Sequence, residues 1–119
     1  MGEPTTSEDS SLVEVRLEPD ADGTLLTLEH TAVVPPEFWD QFGPGATGVG
    51  WDLGLLGLSA HLTGLELGTP AELESDPGIR ACLTASAQAW GVAFRASGAD
   101  EDTVARTTAA TTAFYVPEA

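Results

Sequence analysis

Apolar and charged residues interleave near the start of the chain. Residues 12–18 (LVEVRLE) have the two-residue period of a half-buried strand, and residues 24–34 resume it. One face of this second strand carries Leu26, Leu28, His30 and Ala32. Residues 19–23 lie between the two runs, with Pro19 for the bend and Gly23 able to take a positive φ. The pattern predicts an antiparallel β-hairpin.

The next part of the chain has a helical pattern interrupted by glycine. Pro35 and Pro36 end the second strand, and residues 37–42 favour a short helical turn. We predict a helix over residues 47–64, although each glycine costs a helix interior about 0.5–1 kcal/mol relative to alanine. Such a helix needs close packing against a neighbour. The surface that we expect to provide it comprises Gly50, Gly54, Gly57 and Ala60.

A longer amphipathic helix is predicted after residues 67–75, which we interpret as a linker. Asp76 and Pro77 are typical of an N-cap followed by proline at the first helical position. Spacings of three and four residues then mark one face of a helix over residues 77–97. That face consists of Ile79, Leu83, Ser86, Trp90, Phe94 and Ser97. Gly98 ends this helix, and Asp100 caps a further short helix through Ala113.

These elements give an α+β fold class with too few strands. A two-stranded sheet is marginal in water, and its outer edges expose unpaired backbone groups. Either the helices cover the hairpin, or the chain associates with a second copy through the hairpin edge, or strands are missing. We favour missing strands.

The charge excludes some partners. Nineteen acidic residues against four basic ones give a net charge of −15, which would repel nucleic acid and anionic membranes. The longest apolar stretch is interrupted by Asp52, His61 and Glu66 and is too short to span a bilayer. Cys82 is the one cysteine, and residues 1–11 form a polar loop that does not resemble a signal peptide. We expect a cytoplasmic protein.

No residue spacing indicates a metal, a cofactor or a catalytic site. Asp20 and Asp22 are spaced like the start of a calcium loop, but a hairpin turn explains them and Thr31 stands where that loop needs glutamate. No His or Cys pair has metal-ligand spacing. Ser59 and His61 lie two apart, on different faces of a helix, so no catalytic triad is expected.

One block of sequence resembles a known family. Residues 37–62 (EFWDQFGPGATGVGWDLGLLGLSAHL) resemble a segment of bacterial START-like (SRPBCC) proteins, the homologues of the activator of the ninety-kilodalton heat-shock chaperone ATPase. The upstream hairpin is similar to that family's last two strands. Residues 85–91 (ASAQAWG) resemble its long C-terminal helix, and residues 111–115 (TTAFY) its tail.

The resemblance implies a helix-grip fold, in which a curved antiparallel sheet surrounds one long helix and encloses a cavity. It also implies that residues 12–119 are the C-terminal part of such a domain, a partial helix-grip fold. The family's first strand, two short helices and following strands would precede Val13, so we expect Met1 to lie within the domain.

The implied cavity gives the candidate site. It would be lined by Trp51, Ser86, Trp90, Phe94 and His30, although core packing explains these aromatic residues as well. We therefore expect a non-catalytic module that binds a hydrophobic small molecule or a partner protein, without a cofactor. The family also implies two alternatives, a polyketide cyclase or aromatase that would use His30 or Asp52, and a regulator of a chaperone ATPase.

Overall fold

A computed structural model describes residues 11–118, and the chain divides into two compact units, Met1–Pro35 and Pro36–Ala119. The first unit contains an antiparallel hairpin of β1 (Ser11–Asp20) and β2 (Gly23–Ala32). The ladder runs from Ser11 opposite Ala32 to Asp20 opposite Gly23, which confirms the predicted hairpin. Of the predicted loop over residues 1–11, Ser11 begins β1 and the remainder lies outside the described residues.

The hairpin has one apolar and one polar face, because its register brings like residues together. The apolar face consists of Val13, Val15, Leu17, Leu26, Leu28 and His30. The opposite face is mainly polar and consists of Glu14, Arg16, Glu18, Thr27, Glu29 and Thr31 together with Leu12 and Leu25. Every residue of β1 is exposed, whereas Leu26, Leu28 and His30 of β2 are half-buried. The β1 half of the apolar face therefore remains accessible to solvent.

The hairpin turn corrects one expectation. Gly23, expected to take a positive φ, belongs to β2, and the positive φ falls instead on Ala21, at 51°. The loop consists of Ala21 and Asp22 alone, and two-residue hairpin loops use left-handed backbone to match the twist of their strands. The register of the apolar pairs fixes the loop length, so the strain falls on an alanine.

The second unit is helical. Its elements are α1 (Pro36–Phe42), α2 (Gly45–Thr63), α3 (Pro70–Ser75), α4 (Pro77–Ala96) and α5 (Glu101–Tyr115). With the hairpin they make the chain α+β, as predicted, with a glycine-rich α2 and a long α4 followed by α5. No helix among the described residues is long and apolar enough to cross a lipid bilayer.

Local capping explains where these helices begin. The Asp76 carboxylate accepts a hydrogen bond from the Ile79 amide at 2.8 Å and starts α4 as predicted. The Asp100 carboxylate accepts one from the Thr103 amide at 2.7 Å, and these contacts with Thr103 lower the pKa of Asp100 below its usual value. The predicted linker is wrong in part, because Thr69 caps α3 by accepting from the Glu72 amide at 3.3 Å.

Small residues form the core of the helical unit. Val49 and Thr111 are completely buried, and Ala87 and Thr107 nearly so. The two core threonines lie on α5, where α5 packs against α1, α2 and α4. Thr107 satisfies its hydroxyl by donating to the Thr103 carbonyl at 2.9 Å, which lets a polar side chain be buried at low cost. Small side chains allow these helices to approach closely.

The close-packed surface of α2 differs from the predicted one. A Cβ added at Gly54 or Gly57 would have no atom within 4 Å, so the prediction is wrong at these two positions. A Cβ at Gly48 would instead lie 2.1 Å from Cε2 of Trp90, and a Cβ at Gly45 would lie 2.8 Å from Oγ1 of Thr111. The packing surface lies nearer the start of α2, because α4 and α5 cross the helix there.

Candidate functional site

Asp52 on α2 connects two residues of the predicted pocket. One carboxylate oxygen, Oδ2, accepts hydrogen bonds from Ser86 Oγ at 2.6 Å and from Trp90 Nε1 at 2.9 Å. Ser86 and Trp90 lie one turn apart on α4, so the carboxylate of α2 bridges that turn. Hydrogen bonds to an ionised acceptor are stronger than neutral ones. Asp52 thus fixes the orientation of the Trp90 indole against α2.

The Trp90 indole leaves no room for a ligand beside it within the helical unit. Its ring lies directly against Gly48, where any side chain would collide with it. Trp90, Phe94 and Gly91 of α4 border a space against α5. The volume of this space that a water molecule could occupy is ≈ 0 Å³. A second space beside Asp52 measures ≈ 10 Å³, about enough for one water. Around these residues the helices are filled by their own side chains.

The Phe94 ring packs against α1 and the turn that follows α1. Its ring stands edge-on to Trp39, with centroids 5.4 Å apart. A Cβ at Gly43, which has a φ of 57°, would lie 2.7 Å from Cε2 of Phe94. Edge-to-face aromatic pairs stabilise beyond their buried area. In this unit Phe94 therefore joins α1 to α4.

An open groove lies elsewhere in the helical unit, between α3, the start of α4 and the end of α5. Its volume is ≈ 570 Å³, within the range of small-molecule sites. The lining residues are Ala71, Glu74, Ser75, Arg80, Phe114, Tyr115, Pro117 and Glu118. We call this space the C-terminal groove. Phe114 is 64% exposed, so it presents an aromatic surface to any molecule that enters.

Three hydrogen bonds, two of them between distant residues, hold the C-terminal groove. Arg80 Nη2 donates to the Pro117 carbonyl at 2.8 Å, and Nη1 donates to the Glu74 carbonyl at 3.3 Å. The Tyr115 hydroxyl donates to the Ala46 carbonyl at 2.5 Å. Burial raises the pKa of Tyr115 above its usual value, so the hydroxyl keeps its proton at neutral pH. These bonds attach the end of α5 to α4 and α2 and give the groove fixed walls.

The charges around the C-terminal groove disfavour an anionic ligand. Glu74 and Glu118 line it, and among the described residues Arg80 is its only basic lining residue. The guanidinium already donates to two backbone carbonyls, so part of its donor capacity is used. A neutral apolar molecule fits this lining better than a fatty-acid carboxylate does.

The predicted site residues are divided between the two units. His30 lies in β2, opposite Val13, whereas the other four lie in the helical unit. Trp51 is half-buried on α2, and Ser86 and Trp90 meet at Asp52. The residues of the C-terminal groove were missed by sequence reasoning. The adjacent rings of Phe114 and Tyr115 close to the chain end were the one signal that could have indicated it.

The chemistry available in the described residues is limited. Between residues 11 and 118 no group of three or more His, Cys, Asp and Glu side chains could hold a metal ion. Ser86 donates its hydroxyl to Asp52, and that carboxylate also accepts from Trp90, so it orients these groups. The arrangement supports binding and positioning more than it supports acid–base chemistry.

Comparison with known proteins identifies no relative. No protein-family model, curated protein or solved structure matches the chain. The resemblance to START-like proteins stays a prediction that rests on the residues quoted above. Functional inference therefore depends on the geometry of the two units.

Proposed function

We propose that this chain is a non-catalytic binding module of START-like type whose ligand is a neutral apolar small molecule held in the C-terminal groove. The observation that carries the proposal is the groove itself, ≈ 570 Å³ in volume, with Phe114 exposed at 64%. A large exposed aromatic side chain beside a concave surface is typical of binding sites.

The order of elements supports the START-like part of the proposal. A hairpin, a glycine-rich helix and a long amphipathic helix follow one another along the chain. The ligand position departs from the family's expected cavity, because the surroundings of Trp90 and Phe94 are filled within the helical unit. The groove instead uses the end of α5 and the short helix α3.

A neutral fluorescent probe tests the proposal directly. N-phenyl-1-naphthylamine is apolar and uncharged, and its emission rises when it leaves water. Titration into the intact protein should give saturable binding. Phe114→Ala should weaken that binding about tenfold, because removing most of a buried aromatic contact costs about 1–2 kcal/mol.

Leu62→Ala is the matched control. Leu62 is an apolar residue on α2, 74% exposed, and it does not line the groove. Its truncation should leave the probe affinity unchanged. Absence of saturable binding by the wild-type chain would contradict the proposal, as would equal losses in both variants.

The family's two other activities have weaker support. A cyclase or aromatase would need a polar residue directed into a cavity, but Asp52 is engaged with Ser86 and Trp90. The other candidate for such an enzyme, His30, lies in the hairpin unit. For regulation of a chaperone ATPase, no contact within the described residues favours that activity. Neither is part of the proposal.

A further inference from the structure

The outer edge of β1 is open to pairing. Within residues 11–118 the sheet consists of β1 and β2 only, so each strand has one edge without a strand neighbour. All ten residues of β1 are exposed. Unpaired edges recruit strands from other chains, and a two-stranded sheet is marginal alone. The edge is therefore both available and in need of a partner.

Pro19 indicates which backbone groups face outward. It stands opposite Thr24 in the ladder, yet it has no N–H to donate. Proline is tolerated in a strand where its nitrogen points away from the neighbouring strand. Since backbone direction alternates along a strand, Val13, Val15 and Leu17 present their N–H and C=O groups to the outer edge.

The charges of β1 are complementary to a second copy of β1 in one register. If Val15 faces itself across a two-fold axis, Glu14 of each copy faces Arg16 of the other. Val13 then faces Leu17, and Leu12 faces Glu18. Residues directly opposite in an antiparallel pair share a face, so the apolar faces of the two hairpins become continuous. Two ion pairs form about one axis.

Neighbouring registers are less favourable than this one. Centring the axis on Glu14 or on Arg16 places that charge opposite itself. Centring it on Leu17 pairs Arg16 with Glu18 of the second copy, but it also places Glu14 opposite Asp20. That register puts Pro19, which cannot donate, opposite Val15 inside the new ladder, whereas the Val15 register leaves Pro19 at the ladder end opposite Ser11. The outer edge of β2 carries Glu29 as its single formal charge and offers no matching cation. Charge thus selects the strand, and charge together with the position of Pro19 selects the register.

We infer that two copies of the chain associate through β1, antiparallel with Val15 on the two-fold axis, into a four-stranded sheet ordered β2-β1-β1-β2. The interface is isologous, as closed two-fold dimers require. Each copy carries a net charge of −15, and this long-range repulsion is screened beyond about 8 Å at physiological salt. The inference is independent of the C-terminal groove, which lies in the other unit.

Charge reversal tests the register by sedimentation equilibrium of the full chain at physiological salt. The wild type should be a dimer. Glu14→Arg places arginine opposite Arg16 of the second copy, and Arg16→Glu places glutamate opposite Glu14. Each should raise the dimer dissociation constant about tenfold or more, because two opposite-charge pairs become two like-charge pairs. The double variant E14R/R16E restores both pairs and should recover wild-type dimerisation.

Glu18→Arg is the matched control. It lies on the same strand and face and changes the net charge by the same amount as Glu14→Arg, but it would face Leu12 of the second copy. Dimerisation should remain at least as strong as in the wild type. Arg16 also contacts Glu14 and Glu29 within its own hairpin, at 3.4 and 3.6 Å, so circular dichroism should establish that each variant keeps its strands.

Three outcomes would overturn the inference. A monomeric wild type would reject self-association and leave the β1 edge to a strand of another protein. Equal weakening by Glu14→Arg and Glu18→Arg would reject the register, and so would a double variant that stays monomeric with its hairpin intact.

Discussion

At the residue scale, the contact between Gly48 and the Trp90 indole determines how closely α2 and α4 approach. A Cβ at Gly48 would lie 2.1 Å from Cε2 of Trp90, while Trp90 Nε1 is held by Asp52 at 2.9 Å. The indole therefore has little freedom to move aside. Packing requires glycine at this position. The backbone conformation does not, because Gly48 lies within the regular helix α2 and has no positive φ.

Two glycines of α2 should respond to alanine in opposite directions. Gly48→Ala should lower the free energy of unfolding by about 1–3 kcal/mol, because overpacking outweighs the gain in helix propensity. Gly54→Ala, with nothing within 4 Å of the new methyl group, should raise it by about 0.5–1 kcal/mol. Urea denaturation followed by circular dichroism measures both. A destabilised Gly54→Ala or a stabilised Gly48→Ala would contradict this packing.

Tyr115 should make stability fall at alkaline pH. Burial raises its pKa in the folded chain above the ordinary value of 10.0, so the unfolded chain loses this proton first. The contribution of protonated Tyr115 to the free energy of unfolding is fully present below pH 10. It is lost as the pH rises through the pKa of Tyr115 in the folded chain. Tyr115 is the single tyrosine, so phenolate absorbance reports it alone. Its midpoint should lie above 10 in the native chain.

Tyr115→Phe serves as the control for this titration. The variant loses the hydroxyl that donates to the Ala46 carbonyl, and its free energy of unfolding should fall by about 0.5–1.5 kcal/mol at neutral pH. Above pH 10 its stability should decline less steeply than that of the wild type. Equal slopes would show that Tyr115 does not cause the alkaline loss.

At the element scale, the turn lowers the stability of the hairpin. Ala21 has a φ of 51°, a left-handed conformation that costs an L-residue about 1–2 kcal/mol. Ala21→Gly removes that strain, partly offset by the greater freedom of glycine in the unfolded chain. We expect slower amide hydrogen exchange along β1 and β2.

Gly23→Ala is the matched substitution on the other side of the turn. Its Cβ would meet only the Asp20 carbonyl at 3.7 Å, an ordinary contact, and the φ there is not left-handed. Exchange should change little. Faster exchange in Ala21→Gly than in the wild type would contradict the assigned turn.

Helix starts could be predicted from sequence because capping is local. Asp76 and Asp100 each accept from an amide three residues ahead, a spacing visible in the chain itself. Thr69 followed by Pro70 carries the same signal for α3, within the segment predicted to be a linker. The helix over residues 100–113 was predicted correctly, and α5 continues to Tyr115 because Phe114 packs on Phe42.

At the scale of the whole molecule, contacts between distant residues limited what could be predicted. The amphipathic pattern placed Ser86, Trp90 and Phe94 on one face of α4, but it could not show that Gly48 and Asp52 would meet them. Such contacts depend on the rotation of each helix about its own axis. In α2 that rotation brings Gly48, and not Gly54, to the packing surface. The C-terminal groove joins elements more than thirty residues apart, so the adjacent rings of Phe114 and Tyr115 could hint at a site but could not show which elements would border it.

The division into two units has a consequence for following the protein by its intrinsic fluorescence. All three tryptophans, the tyrosine and the four phenylalanines occur from Phe38 onward, within the unit Pro36–Ala119. The hairpin carries no chromophore of its own. Intrinsic emission originates in the helical unit, so a cooperative change in emission reports the unfolding of the helices and does not directly report strand pairing. A label placed on β1 or β2 is needed to observe the strands.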